Sequence, residues 1–302
     1  MRKKYFHNSS PQSCEERKEE ICTLCSLCLC VSIKKMDFID TGYNNAFTNM
    51  AIDEVLLSSR VPVLRFYQWE PCAVSIGRYQ DLDDIDLEYC AENSIDVVRR
   101  ITGGKAVLHE SELTYSFIIG KEMMPRSIIE SYKIISSALV QGLRALGLNP
   151  EMSSSKIKNR DNPICFQEPS FNELTINRKK FVGSAQVRKN EKLLQHGSIL
   201  TGIDTVKHSS CFKKKPEANN LKERITYIDI PEEKLKSAIK HGFSGYFNTS
   251  MNERNLCNRE ISEAEELARM KYRLEAISVK TLTNHSHFTK VSNHWVKKHA
   301  PI

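Results

Sequence analysis

Cys165 and Lys180 stand fifteen residues apart, the thiol in a polar stretch bracketed by Pro163 and Pro169, the amine at the head of the run KFVGSAQV. A thiol attacks as its thiolate, and a neighbouring ammonium raises the thiolate fraction. After Lys180 come the small residues Gly183, Ser184 and Ala185, and then Gln195-His196-Gly197-Ser198. A backbone this thin leaves room for a substrate chain. Thiol, amine and small residues together point to covalent acyl transfer. Separation in sequence does not by itself place the thiol against the amine. The other body cysteines, Cys72, Cys90, Cys211 and Cys257, have no such surroundings and read as packing residues.

The second cluster is Arg99-Arg100-Ile101-Thr102-Gly103-Gly104-Lys105. Glycines admit positive φ and let backbone N–H groups face an anion or a carbonyl oxygen. An arginine pair beside them suits phosphate, although a Gly-Gly pair alone is equally a tight turn. His109 ends the next apolar run, where a lone histidine is more often structural than catalytic. His196, beside Gly197, is better placed to line a site. The body contains no GxSxG elbow and no HExxH, and no metal is expected.

The elements that must carry these residues follow from period and punctuation. Asn44 or Asn45 caps a helix presenting Phe47, Met50, Ala51, Val55 and Leu56. Strands are expected at Val63–Trp69, Ala73–Gly77 and Asp96–Arg100, and at Ala106–His109 and Leu113–Ile119, the last two as a hairpin. Arg126–Leu146 is the longest helix, stopped by Gly147 and Pro150. Asn172–Asn177, Lys180–Val187 and Leu193–Leu200 read as strands, 204–225 as loop or helix edge, and Pro231–Gly242 and Ser262–Tyr272 as amphipathic helices. Many antiparallel strands with a few helices define an α+β class. Three regions are expected: a Cys-rich, disordered extension over 1–35, a catalytic domain over 36–275, and a tail over 276–302.

The net charge of +7 is carried by the ends. Residues 1–35 hold +3 and 271–302 hold +5, leaving 36–270 at −1. A near-neutral body without interleaved aromatic and basic residues argues against a nucleic-acid partner. A local rim of Lys156, Lys158, Arg160, Arg178, Lys179, Arg188, Lys189 and Lys192 suits an acidic protein. Five of the ten cysteines lie in the first 30 residues, with spacing close to that of a metal site but without its second half. No apolar run is long enough for a membrane helix, so a cytoplasmic location is the expectation.

Taken together, RRITGGKAVLHESELTYS and RKKFVGSAQVR…LLQHGSIL resemble the biotin/lipoate protein ligase superfamily over roughly residues 36–272. ELTYS after the glycine loop and ICFQEPSFNEL before the lysine strand are similar to the cysteine-dependent octanoyltransferases of lipoate synthesis. The resemblance implies a class II synthetase-like catalytic domain, a mixed, largely antiparallel sheet flanked by helices. It implies octanoyl transfer from acyl carrier protein to a lysine of a lipoyl domain, such as glycine cleavage H protein or a dehydrogenase E2, by a monomer without ATP or other cofactor. It places the acyl-thioester on Cys165 and the thiol-activating amine on Lys180. Substrate contacts fall on Arg99, Arg100, Gly103, Gly104, Lys105 and His109, and on Gly183, Ser184, Ala185, His196 and Gly197. Lys105 stands where this branch commonly has Arg. Two alternatives share the fold: an ATP-dependent lipoate–protein ligase, which does not need Cys165, and an amidotransferase moving octanoyl between lipoyl domains.

Overall fold

Asn45 turns the chain from a strand, Lys35–Asn44 (β1), into a helix, Ala46–Val55 (α1), its side chain accepting from the Thr48 N–H at 3.0 Å. A capping amide of this kind satisfies one of the orphan N–H groups of the first turn. The computed structural model describes residues 33–153, 173–214, 218–273, 288–291 and 294–297. Cys165, the rim residues Lys156, Lys158 and Arg160, and nearly all of the 1–35 extension lie outside them.

After α1 come Val63–Trp69 (β2), Ala73–Ile76 (β3), Leu87–Glu92 (α2), Asp96–Arg99 (β4), Val107–His109 (β5) and Glu112–Gly120 (β6). The long helix Ile128–Ala145 (α3) begins at Ser127, which caps Glu130 N–H, and ends before Gly147 at φ +79°. Glu151–Met152 (β7), Leu174–Ile176 (β8), Lys179–Lys189 (β9) and Lys192–Leu200 (β10) follow. The turns Asn177-Arg178 and Asn190-Glu191 both use positive φ, as tight hairpins require. The remainder is Thr205–Ser210 (α4), Ala218–Arg224 (α5), Glu232–Phe247 (α6), Ser250–Glu253 (β11) and Asn258–Leu267 (α7). A π-helical turn, Ala268–Arg273, extends α7, and Phe288–Val291 (β12) pairs with His294–Lys297 (β13).

Eight strands form the main sheet in the order β11-β1-β2-β6-β10-β9-β8-β7. β1 runs parallel to both β11 and β2, and every other pairing in this sheet is antiparallel. A second sheet, β4-β3-β5, is also mixed. The α+β class and the mixed, helix-flanked sheet are therefore as expected. The expected β5–β6 hairpin is not present: β5 pairs with β3 in the small sheet, while β6 joins β2 and β10 in the large one. Strands β1 and β11 were not anticipated; β11 has β1, from the other end of the chain, as its partner, and β1 lies parallel between β2 and β11.

Helices cover both faces of the large sheet. On one, α1 and α7 pack Met50, Ile52, Val55, Ala264 and Tyr272 against Val63, Tyr67, Ile118 and Leu194. On the other, α6 sets Phe243 and Phe247 against Phe117, with ring centroids 5.2 Å apart for each pair. Helices α3 and α6 touch through Gly142 and Gly242, where a Cβ on either would come within 2.5 Å of the other helix's backbone.

Candidate active site

Strand register builds the site. Arg65, Ser116, His196 and Ala185 lie in one row across β2, β6, β10 and β9. Tyr67, Thr114, Ser198 and Gly183 form the next row on the same face. Each row begins at a bulky side chain on β2 and ends at a small residue on β9, Ala185 or Gly183. Over its thin end lies a small cavity of about 40 Å³ whose walls include Met50, Trp69, Val107, His109, Gly104 and His196. Gly183, Ser184, Ala185 and Gly197 border it as well. Gly104 is exposed and Ser184 and Ala185 half-buried, so the cavity opens to solvent along this edge.

Ser184 borders the cavity by its backbone. Its hydroxyl meets Tyr115 Oη at 2.8 Å, across the position of Gly197. A Cβ at Gly197 would lie 2.3 Å from Ser184 Oγ, so glycine is required there for the bond to form. Burial pushes the Tyr115 phenol up to about 12, against the pull of Gln195 and Ser184, and the hydroxyl stays protonated.

Two buried networks hold the walls. In the first, Arg65 pairs with Asp53 Oδ1 at 2.7 Å, and Asp53 Oδ2 accepts from Tyr67 Oη and His196 Nδ1, each at 3.0 Å. His196 Nε2 lies 2.7 Å from Thr102 Oγ1, which accepts from Arg100 Nε at 3.1 Å. Burial raises the Asp53 carboxyl, but the Arg65 charge and the His196 bond outweigh it and keep it below its ordinary value. Burial lowers His196 against the pull of Asp53, so the ring is neutral at neutral pH. A carboxylate only accepts, so Nδ1 carries the proton and Nε2 receives the Thr102 hydroxyl. His196 is thus fully engaged in fixing the glycine loop.

In the second network, His109 Nδ1 lies 2.7 Å from Glu112 Oε1, and its Nε2 lies 2.8 Å from Ser75 Oγ. Glu112 Oε1 also accepts from Ser198 at 2.6 Å and from Thr114 at 2.5 Å. Burial raises the Glu112 carboxyl, yet His109 and these two hydroxyls hold it below its usual value. The His109 ring stacks on Trp69, centroids 3.9 Å apart and planes 10° from parallel, while Trp69 Nε1 donates to Thr114 at 2.8 Å. The stacked pair forms a flat, partly apolar wall.

The arginines of the glycine loop act differently from the phosphate pair expected of them. Arg100 donates to the carbonyls of Ser75, Gly103 and Lys105 at 2.8–2.9 Å. Arg99 donates to the carbonyls of Gly77, Arg78 and Gln80. Both guanidinium groups therefore brace loops; Arg100 lines the cavity, and Arg99, Gly103 and Lys105 do not. Gly104 has φ +93°, and a Cβ there would press on Arg100 Nη2 at 2.9 Å. Three residues of the expected basic rim are engaged within the chain: Lys179 donates to Lys222 O, Arg188 to Pro125 O, and Lys189 pairs with Glu54.

Lys180 is fully buried and is not among the residues that line the cavity; its Nζ lies 2.7 Å from Glu173 Oε1. A register shift lies between β8 and β9 at this point: Leu174 pairs with Val182 but Thr175 with Lys180. The structure thus joins Arg100, Gly104, His109, Gly183, Ser184, Ala185, His196 and Gly197 around one cavity. Asp53, Arg65, Trp69, Glu112 and Glu173 were not anticipated. Asp53 gave a signal, a carboxylate within the apolar stretch Met50–Leu57, and so did Arg65 inside a strand whose seven residues are all buried. Among the described residues, no cluster of three His, Cys, Asp or Glu groups converges as a metal site, and no helix is long and apolar enough to cross a membrane.

The chain matches the lipoyl protein ligase A/B catalytic domain over residues 45–244. It is 37% identical to octanoyltransferase LipM of Staphylococcus epidermidis, covering 80% of this chain and 96% of that one. Identity to octanoyltransferase LipM of Bacillus subtilis is 35%, covering 78% and 94%. A solved lipoate-protein ligase A bound with ATP superposes with TM-score 0.68 at 26% identity, over 80% of this chain and 96% of its own. The bi-partite lipoate protein ligase of Thermoplasma acidophilum gives TM-score 0.67 at 26% identity, over 80% and 93%. The chain belongs to the lipoyl protein ligase A/B family. Within that family its place is among the octanoyltransferases of lipoate biosynthesis, acyltransferases by reaction.

Proposed function

We propose that the protein moves octanoyl from acyl carrier protein to a lysine of a lipoyl domain through a thioester on Cys165, without ATP. The observation that carries this reading is the cavity bordered by Gly183 and Ala185 of β9, the strand on which Lys180 is buried and paired to Glu173. Met50, Trp69 and Val107 give the cavity apolar surface, and Gly183 and Ala185 keep its border nearly free of side chains, which suits the entry of an acyl chain.

In the first step the Cys165 thiolate attacks the donor thioester carbonyl. The C–S bond to the carrier breaks, and the departing thiolate takes a proton. Exchange between two thioesters is close to isoenergetic and needs no nucleotide. In the second step the acceptor amine attacks the enzyme thioester, the C–S bond breaks, and the departing Cys165 thiolate takes up the proton that the amine loses, giving an amide and the free thiol. Lys180 as ammonium steadies the thiolate in both steps. A second reading, ATP-dependent ligation, is favoured by the likeness to the ATP-bound ligase.

The test is incubation with octanoyl-carrier protein without ATP, followed by intact mass. The expected result is a hydroxylamine-labile octanoyl adduct that is absent from Cys165→Ala. Lipoyl-domain modification that persists in Cys165→Ala and demands ATP would overturn the thioester route in favour of ligation.

A further inference from the structure

Arg78 follows Gly77, and Gly77 sits directly on the glycine loop: a Cβ there would lie 1.9 Å from Gly104 O. The Arg78 N–H donates to Thr102 O at 2.9 Å. Three carbonyls of this turn, those of Gly77, Arg78 and Gln80, converge on Arg99 Nη1. The turn is therefore locked to the loop whose Gly104 forms the open edge of the cavity. From it Arg78 projects into solvent, its guanidinium 5.5 Å from the ring centroid of Tyr79, which is 86% exposed. Among the described residues no hydrogen bond or ion pair engages the Arg78 side chain. Arg99 and Arg100 are bound to carbonyls, so Arg78 is the uncommitted guanidinium of this region.

We propose that Arg78, backed by Tyr79, binds the phosphate ester of the acyl donor's flexible arm where that arm leaves the cavity past Gly104. This rests on the transferase reading above. A carrier-borne acyl group rides on a pantetheine arm joined to its protein by a phosphodiester, an anion that a guanidinium grips with two parallel N–H bonds. A turn held by hydrogen bonds and a cation–π contact with Tyr79 pre-order the cation, which lowers the entropy lost on binding. A nucleoside triphosphate would offer the same chemistry from another source, and the test separates the two.

The full-length chain is assayed with two donors that differ only in the phosphate, S-octanoyl-4′-phosphopantetheine and S-octanoyl-pantetheine. Wild type is expected to favour the phosphorylated donor about tenfold in kcat/KM, as a charge-assisted bond implies. Arg78→Ala is expected to erase that preference through KM, and Arg78→Lys to restore part of it, with unfolding curves unchanged. A preference that survives Arg78→Ala, or an equal fall for both donors, overturns the assignment while leaving the transferase reading intact. If wild type uses neither thioester but ligates octanoate with ATP, the transferase reading itself fails. A raised KM for ATP in Arg78→Ala would then give the anion to the nucleotide and overturn the donor-arm assignment.

Discussion

Glu173 and Lys180 form a buried ion pair, 2.7 Å between Oε1 and Nζ, with side chains 3% and 0% exposed. The carboxylate precedes β8 and the amine opens β9, so the β8–β9 hairpin exists in part to bring them together. Removing one member of a buried pair strands the other charge and typically costs about 3–5 kcal/mol. Glu173→Ala is expected to lose stability in that range in urea unfolding and to lose octanoyl transfer. Glu173→Gln, which still accepts a hydrogen bond, is expected to lose less stability. Wild-type unfolding in Glu173→Ala would show that the pair supports nothing.

The Arg65–Asp53–His196 array gives a sharper test of cause. Asp53→Asn leaves the fully buried Arg65 without its counter-charge and frees His196 to change tautomer. A loss of about 3–5 kcal/mol is expected. Adding Arg65→Met removes the stranded charge, and the double variant is expected to recover part of that loss. If the double variant is less stable than Asp53→Asn, the stranded charge is not the cause.

Gly77→Ala places a methyl against Gly104 O. The glycine loop must shift, and a displacement approaching 1 Å at a reacting centre costs on the order of a hundredfold in rate. The expected outcome is a large fall in kcat/KM with unfolding still cooperative. Unchanged kinetics would mean that loop position does not matter to the reaction.

Acid should destabilise the fold earlier than carboxylates alone predict. Burial, with a smaller contribution from His109, lowers His208 from 6.5 to about 4, and His196 is lowered as well. Folded histidines with depressed pKa values bind fewer protons than unfolded ones. Their stability is therefore intact above about pH 6.5 and is lost as pH falls towards 4, by roughly 3 kcal/mol for His208. Glu54, raised by burial but pulled down to about 2 by Lys189, Lys271 and Tyr272, adds its loss only below pH 4.5. Denaturant titrations from pH 8 to 4 are expected to show stability falling below pH 6.5, and His208→Phe to flatten that slope. A flat wild-type profile down to pH 5 would contradict the burial of neutral histidines.

Local pattern sufficed where local forces decide. A cap at Asn44 or Asn45, strand Val63–Trp69 and the long helix ending before Gly147 were legible from cap chemistry, β-rich composition and a glycine stop, and Asn45 is the cap. The small residues of the cavity border were visible as a run, because a thin backbone requires them. What stayed hidden was set by register. That Arg65, Ser116, His196 and Ala185 share a row depends on four strands from distant parts of the chain. The expected β5–β6 hairpin failed for the same reason, since alternation marks a strand without naming its partner. Arg99 and Arg100 looked like ligand cations because nothing in sequence reports the carbonyls that occupy them.

Strand β1 lies between β2 and β11, and its outer edge has no partner until Ser250–Glu253 arrives. Helix α1, next in the chain, likewise waits for Lys271 and Tyr272 to reach Glu54. On the ribosome, the helix that supplies Met50 to the cavity and Asp53 to the network behind its wall would be synthesised early yet locked late. Until then β1 offers an open edge to any other extended chain, the setting in which nascent proteins aggregate. Fragments truncated before Ser250 should therefore depend on chaperones in a way the whole chain does not.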